Sequence, residues 1–414
     1  MPFQPASRVS TFGTTIFAEM TQLAIQHNAI NLSQGFPDFD GPEGVKAAAI
    51  AAITDGKNQY AISNGQPDLR KAIAAHAKRF YNQEANPDTE ITVVSGATEG
   101  LFSSIMGIMN PGDEAIIIEP FYDGYAPDVI MAGGVPRYVP LRPSTSGDAS
   151  TSLRSAQHAS PSAQGAEWLL DPDELTRAFN NKTKLIIVNT PHNPTGKVFS
   201  RNELQLIADL CLKWNVIAIS DEVYEHILFD DTKHIRLAQL DGMSERTITI
   251  SSHGKSFSFT GWKIGWCIAP PDLTTAIRRA HQFVTFASGT PFQHAAVKAL
   301  SLDDEYYAAL IGDYQTKRDY LASALSNAGL DVSIPKGTYF IMAGFKRLGF
   351  DDDVTFCRHL TKEIGVAAIP PSAFYSDEHK ALGKTHARFA FCKKMETLEK
   401  AAERLRKLSV SSKQ

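Results

Sequence analysis

The chain has 414 residues, with 41 Lys and Arg against 45 Asp and Glu and a net charge of −4, so it carries no excess of basic charge for a nucleic-acid partner. Its length exceeds one simple core and suits two domains; 43% hydrophobic and 21% charged residues describe an ordinary globular composition, and no run is apolar for long enough to span a bilayer. Residues 1–15 lack the apolar run of a secretory signal, and Cys211, Cys267, Cys357 and Cys392 are far apart with no C-x-x-C pair, so a cytoplasmic chain without a disulfide frame or structural zinc is expected.

Residues 1–30 read as an arm followed by a helix, because Phe17, Met20, Leu23, Ala24 and His27 fall at helical spacing. The Gly- and Pro-bearing stretch 31–42 reads as a fixed loop, after which Pro42 can start a helix with residues 45–53 as its body. A polar loop at 60–66 precedes another helix over 67–79. From residue 91 a repeated unit begins: short apolar strands at 91–94, 115–118, 185–188, 216–219 and 247–250, with helical stretches such as 201–214 between some of them. Strands of this kind alternating with helices predict an α/β fold with a mostly parallel sheet covered on both faces. Residues 142–166, rich in Ser, Ala, Thr, Gly and Pro, read as a surface insertion with too little apolar surface to fold alone. Beyond residue 300 come a helix over 306–328 and strands at 338–342 and 386–391, the parts of a smaller α/β unit that would cover the sheet's crevice. The expected division is 1–45 as arm and part of a small domain, 46–297 as the large domain, and 298–414 as the rest of the small one.

Each of the five strands is followed at once by polar or aromatic groups. Parallel strands end along one rim, where open α/β sheets bind their ligands. Thr98, Tyr122, Asn193, Asp221, Tyr224 and Lys255 would therefore face one crevice despite their separation in the chain. Taken alone, Lys255 could be a solvated loop lysine and Asp221 a helix cap. Other chemistries fit poorly. Gly254-Lys255-Ser256 mimics the end of a phosphate-binding loop, but Thr249 stands where that loop needs glycine. Ser252 and Lys255 match S-x-x-K, yet no S-D-N or K-T-G follows; there is no G-x-G-x-x-G and no metal-ligand spacing among the histidines. A lysine for a Schiff base, with an acid for a ring nitrogen, suits pyridoxal phosphate. Lys255 and Asp221 are the candidates, with Tyr122 as a flat neighbour, the helix start at Gly96-Ala97-Thr98 for the phosphate, and Lys263 and Ser252 adding charge and a hydroxyl.

Four segments carry a resemblance: Asn-Leu-Ser-Gln-Gly-Phe-Pro-Asp-Phe (31–39), Asn-Thr-Pro-His-Asn-Pro-Thr-Gly (189–196), Ser-Asp-Glu-Val-Tyr-Glu-His (220–226) and Gly-Lys-Ser-Phe-Ser-Phe-Thr-Gly-Trp-Lys-Ile-Gly-Trp (254–266). The chain resembles the class I aminotransferases of pyridoxal-phosphate fold type I, and among them the kynurenine and methionine aminotransferase group. The resemblance covers nearly everything except residues 142–166. It implies that Lys255 forms the Schiff base and moves the substrate proton, that Asp221 pairs with the ring nitrogen, and that Asn193 and Tyr224 bind the ring 3-oxygen. It further implies that Tyr122 stacks on the ring and that Ala97, Thr98, Ser252 and Lys263 hold the phosphate. Tyr60 would reach the neighbouring subunit's phosphate, which makes the expected assembly a homodimer. Arg388 would grip the substrate carboxylate with help from the Gly35 backbone, and Phe17, with Phe36 and Phe286, would line an apolar pocket. Thr98 and Ala287 depart from the Tyr and His associated with the kynurenine enzymes, which removes an aromatic wall. The activity implied is transfer of the amino group of an apolar or aromatic L-amino acid, of the methionine, phenylalanine or kynurenine type, to a 2-oxo acid by a ping-pong mechanism. A β-lyase acting on cysteine conjugates at the same site, and a non-catalytic ligand sensor built on the fold, are the rival readings.

Overall fold

In a computed structural model the described residues are 3–10, 12–144 and 167–411. Most of the insertion expected over 142–166 lies outside them. Its first two residues instead belong to a strand.

The strands, in chain order, are β1 (Ile30–Asn31), β2 (Ile91–Val94), β3 (Glu114–Glu119), β4 (Val135–Pro143), β5 (Trp168–Leu170), β6 (Thr183–Asn189), β7 (Ile217–Asp221), β8 (Thr247–Ser252) and β9 (Gly265–Ile268). After these come β10 (Asp331–Ser333), β11 (Phe340–Gly344), β12 (Val366–Ala367) and β13 (His386–Ala390). The helices that matter for the site are α1 (Ile16–Gln26), α2 (Glu43–Thr54), α3 (Pro67–Tyr81), α4 (Gly96–Ile108), α5 (Tyr125–Met131), α6 (His253–Ser256), α7 (Pro271–Val284), α8 (Thr290–Leu300) and α9 (Asp304–Asn327).

The large sheet has eight strands in the order β2-β9-β8-β7-β6-β3-β4-β5. From β8 to β4 every pairing is parallel, and β9 runs antiparallel to both β8 and β2. Two antiparallel steps restore direction, so the carboxyl end of β2 lies on the same rim as those of β8, β7, β6 and β3. The strands are buried on both faces, which is why they read as continuous apolar runs rather than alternating ones. The expectation of five strand ends on one rim is met, with one addition. Residues 265–268 form β9 and insert between β2 and β8, because the tail of the 254–266 motif turns back along the strand it left. That return demands a glycine: a Cβ on Gly265 would lie 2.6–2.7 Å from the Gly96 carbonyl carbon and the Ala97 nitrogen.

Both chain ends share one core. Met20 and Leu32 pack with Tyr314, Leu321, Phe345, Phe356, Phe389 and Leu405, and β1 pairs in parallel with β12. The strip Val223 to Phe229, just past β7, belongs to that same core. The smaller sheet β10-β11-β13 is thereby held against the rim of the large one. Among the described residues no helix is long and apolar enough to cross a membrane.

Candidate active site

A cavity of about 380 Å³ opens at the rim where the strand ends meet the smaller unit. Each strand delivers its groups by a different local device. After β2, the chain turns through Gly96 at φ +74° and starts α4 at the cavity, with Ala97 and Thr98 in its lining. The first N–H groups of a helix have no partner within it, so this end is an anion site by construction. Lys263 in the loop before β9 adds a cation there: its Nζ donates to Thr98 Oγ1 at 3.0 Å. Ser252, the last residue of β8, lines the same end.

After β3, Tyr122 lines the cavity beside Asp123 and makes an edge contact with Tyr125 at 5.6 Å between ring centroids. Asp221 is the last residue of β7 and 5% exposed. Its carboxylate accepts from the Tyr125 hydroxyl at 2.6 Å and the Val223 amide at 3.4 Å. Burial pushes its pKa up to about 6, against these hydrogen bonds and the charge of Lys255, which act the other way. Asn189, the last residue of β6, clamps the neighbourhood: its side chain donates to the Asp221 carbonyl at 2.9 Å and accepts from the Asn193 amide at 2.7 Å. Asn193 and Tyr224 both line the cavity.

Lys255 is carried by α6, one short turn after β8, and keeps some surface open to the cavity. Its amine lies 5.7 Å from the Tyr224 ring centroid and 5.8 Å from that of Tyr339. Desolvation lowers its pKa to about 8, with Lys263 and Arg388 acting the same way and Cys392 and Asp221 opposing. A lysine in that state has a much larger neutral, nucleophilic fraction at pH 7 than a surface one.

Arg388 sits in β13 and is 1% exposed. Its guanidinium donates to Asn193 Oδ1 at 3.0 Å and to the Ser33 carbonyl at 2.8 Å, while its Nε is buried without a partner. The rings of Phe340, Phe374 and Phe17 surround it at 4.1, 5.0 and 5.1 Å. Gly35 lines the cavity, and its carbonyl accepts from the Tyr339 hydroxyl at 2.7 Å; a Cβ there would sit 2.5 Å from the Phe340 ring. Ser33 is the backbone partner of Arg388, and Gly35 lies in the same cavity wall.

Two residues stand apart. Tyr60 is 87% exposed and does not line its own chain's cavity; it packs edge-on against Phe286 at 5.6 Å. Phe286 shares that outer surface and does not line the cavity either, while Phe17 and Phe36 do. The sequence reading missed Tyr125 and Asn189, the two side chains that fix Asp221, and Asp123 in the cavity wall.

A family model for aminotransferase class I and II matches residues 27–405. The chain belongs to that family. It is 46% identical to a kynurenine–oxoglutarate transaminase of Dictyostelium discoideum, over 98% of this chain and 97% of that one. It is 39% identical to a methionine aminotransferase of Escherichia coli K12, over 98% and 99% respectively. The structure of an N-succinyldiaminopimelate aminotransferase from Mycobacterium tuberculosis superimposes with a TM-score of 0.90 at 43% identity, covering 98% of this chain and all of that one. The chain is a transaminase dependent on pyridoxal phosphate, in the pyridoxal-phosphate aminotransferase fold expected from its strand pattern. Its cavity suits that cofactor chemically. It offers an amine of lowered pKa, a buried acid, a helix N-terminus with an ammonium beside it, and an arginine with an orphaned buried donor.

Proposed function

We propose that this transaminase takes the amino group from an apolar or aromatic L-amino acid, of the methionine, phenylalanine or kynurenine type, and passes it to a 2-oxo acid by a ping-pong mechanism. The observation that carries this reading is the Arg388 guanidinium with a free buried Nε, set among Phe17, Phe340 and Phe374 in the wall of the cavity. A bidentate fork suits a carboxylate, and apolar walls beside it favour an uncharged side chain. The kynurenine and methionine names of the relatives agree with that choice.

When bound, pyridoxal phosphate supplies the electron sink for the pair left at the substrate Cα. The chain's residues supply the rest. The Lys255 amine bonds the cofactor at rest and, once free, carries the proton away from Cα. Asp221, oriented by Tyr125 and Asn189, would hold a proton on the ring nitrogen. Asn193 and Tyr224 would hold the ring 3-oxygen, and Tyr122 would offer a flat neighbour to the ring. Ala97, Thr98, Ser252 and Lys263 hold the phosphate. The exposure of Tyr60 beside its own chain's rim suits a role at a partner subunit's phosphate, and so a homodimer. The division into 1–45 with 298–414 against 46–297 follows the shared core of the two chain ends, although α8 crosses the second boundary and packs its Ala295, Ala299 and Leu300 with Val45 and Leu69.

The test is the absorbance of purified protein loaded with pyridoxal phosphate. Adding L-methionine, L-phenylalanine or L-kynurenine should convert the lysine-bound cofactor band to the amine form, and a 2-oxo acid should return it. A band indifferent to all three amino acids would overturn the proposal. A second expectation follows from the desolvated lysine. The rate at which the Lys255 amine reacts with added pyridoxal phosphate should rise roughly tenfold per pH unit up to about pH 8 and then level, as the neutral fraction saturates. Stopped-flow absorbance across pH 6–10 reads it, and a rise continuing past pH 9 would contradict the lowered pKa.

A further inference from the structure

Glu99, in the first turn of α4, points away from the cavity it helps to build. Its carboxylate accepts from the Ser95 backbone N–H, from the Thr285 hydroxyl at 2.6 Å and from His281 Nδ1 at 2.6 Å. The other ring nitrogen of His281 lies 2.7 Å from the Ser63 carbonyl oxygen. The Ser63 carbonyl can only accept, so the nitrogen facing it carries a proton; with Glu99 ionised, as its lowered pKa favours, the other nitrogen donates too and His281 is an imidazolium cation. The pair is deeply buried, His281 wholly so. Burial alone would favour neutral forms of both. The hydrogen bond and opposite charge of each partner win, holding the Glu99 carboxyl low and the His281 imidazole high.

The position of this pair gives it a role. Glu99 is adjacent to Thr98, and Ser95 immediately precedes Gly96, so the carboxylate fixes the turn that opens α4 at the cavity. It also puts a full negative charge just behind the end of the cavity where an anion must bind. Lys263, which feels the Glu99 charge, lies against that same turn, its Cε 3.1 Å from where a Cβ on Gly96 would stand. His281 cancels the Glu99 charge and leaves Lys263 and the α4 N-terminus in surplus. Through Ser63 it also ties down the loop that carries Tyr60, which Thr290 holds separately at the Gln59 carbonyl, 2.6 Å away.

We propose that His281 is a positioning residue for the cofactor phosphate: it neutralises Glu99, so that Glu99 can shape the phosphate-binding turn without repelling the phosphate. The proposal rests on the reading that this end of the cavity takes the phosphate of pyridoxal phosphate, and it adds residues that do not touch the cofactor.

The test is equilibrium binding of pyridoxal phosphate, and of pyridoxal as a probe without the phosphate, to apoprotein freed of cofactor. His281→Asn keeps polar groups but leaves Glu99 unneutralised. It should weaken pyridoxal phosphate about tenfold or more, as expected for one uncompensated charge near a dianion in a partly buried site, and change pyridoxal binding little. His281→Lys, which keeps the charge, should stay within a few-fold of wild type. The double variant Glu99→Gln, His281→Asn removes both charges and should regain most of the lost affinity. A purely structural pair predicts the opposite order, with the double variant no better than His281→Asn, and that result would overturn the proposal. So would a loss shared equally by pyridoxal. Wild-type protein that binds neither probe would overturn the cofactor reading itself, whereas wild type that binds while His281→Asn matches it would overturn this proposal alone.

Discussion

Lys255→Ala should lower turnover by at least about 10⁴-fold, since it removes both the covalent attachment point and the proton carrier at Cα. Among the described residues nothing nearby can substitute. The other ammonium lining the cavity, Lys263, is engaged with Thr98 at the anion end. Arg388 remains protonated, even though burial draws its pKa down to about 10. The loss should fall on kcat rather than on KM, because Arg388 and the phenylalanines that hold the substrate are untouched. Folding should not suffer. Lys255 spends its charge in a desolvated place, as its lowered pKa records, so its removal relieves a cost and Tm should hold or rise. Single-turnover absorbance with L-methionine, beside a thermal melt, separates the two effects. A variant within tenfold of wild-type rate would show that Lys255 is not the proton carrier.

How much of this was legible in the sequence depended on distance along the chain. The strands at 91–94 and 247–250, and the helix over 201–214, announce themselves through local patterns, and parallel pairing then places their ends on one rim. That logic brings Lys255, Asp221, Asn193, Tyr224, Tyr122 and Thr98 to one cavity, where the structure has them. What a local pattern cannot carry is partnership. Tyr125 donates to Asp221 across 96 positions, and His281 to Glu99 across 182. Neither pair leaves a trace in spacing. Strand β9 was hidden for another reason. Its four residues, Gly-Trp-Cys-Ile, are too short to show a period, and Gly265 signals close backbone approach rather than a strand. Arg388 was legible as a candidate carboxylate fork, but the Ser33 carbonyl that holds it in place was not, because only the folded loop shows which carbonyl faces inward.

Arg236→Met should cost roughly 3–5 kcal/mol of stability, the range for stripping the partner from a buried charge, and would take a large share of the roughly 5–15 kcal/mol a domain has. Arg236 is 1% exposed and lies between two buried carboxylates. Its guanidinium bonds Glu225, stands 3.1 Å from Glu222, donates to Gln83 at 2.6 Å and stacks 3.9 Å from the Tyr81 ring centroid. Glu222 also meets Ser220 and His234, each at 2.8 Å, and Glu225 accepts from Ser251 at 2.6 Å. The nearby His76 and His226 bond each other at 2.9 Å through their Nε2 atoms, so one donates and the other accepts. Burial, with the Arg236 charge acting the same way and Glu225 opposing, lowers their pKa values to about 4 and about 3 and holds both neutral beside the intact Arg236. The pH dependence has a definite sign. Burial would raise the Glu225 carboxyl, but Arg236 and the other neighbours hold it well below its ordinary value. Its stabilising contribution is therefore present above the unfolded-state pKa and lost as pH falls through the folded one. In the variant the Glu225 carboxyl shifts upward, and protonating it relieves the repulsion with Glu222. The stability gap should be widest near pH 7 and shrink towards pH 5. Urea melts at the two pH values read the gap, and Arg236→Met with Glu225→Gln should recover part of it at pH 7. Because Glu222 follows Asp221 directly and Ser251 precedes Ser252, the same variant should also loosen the cofactor end of the cavity, with weaker pyridoxal phosphate binding even where the protein stays folded. A variant as stable as wild type at pH 7 would mean that water or a rearranged side chain reaches the two carboxylates.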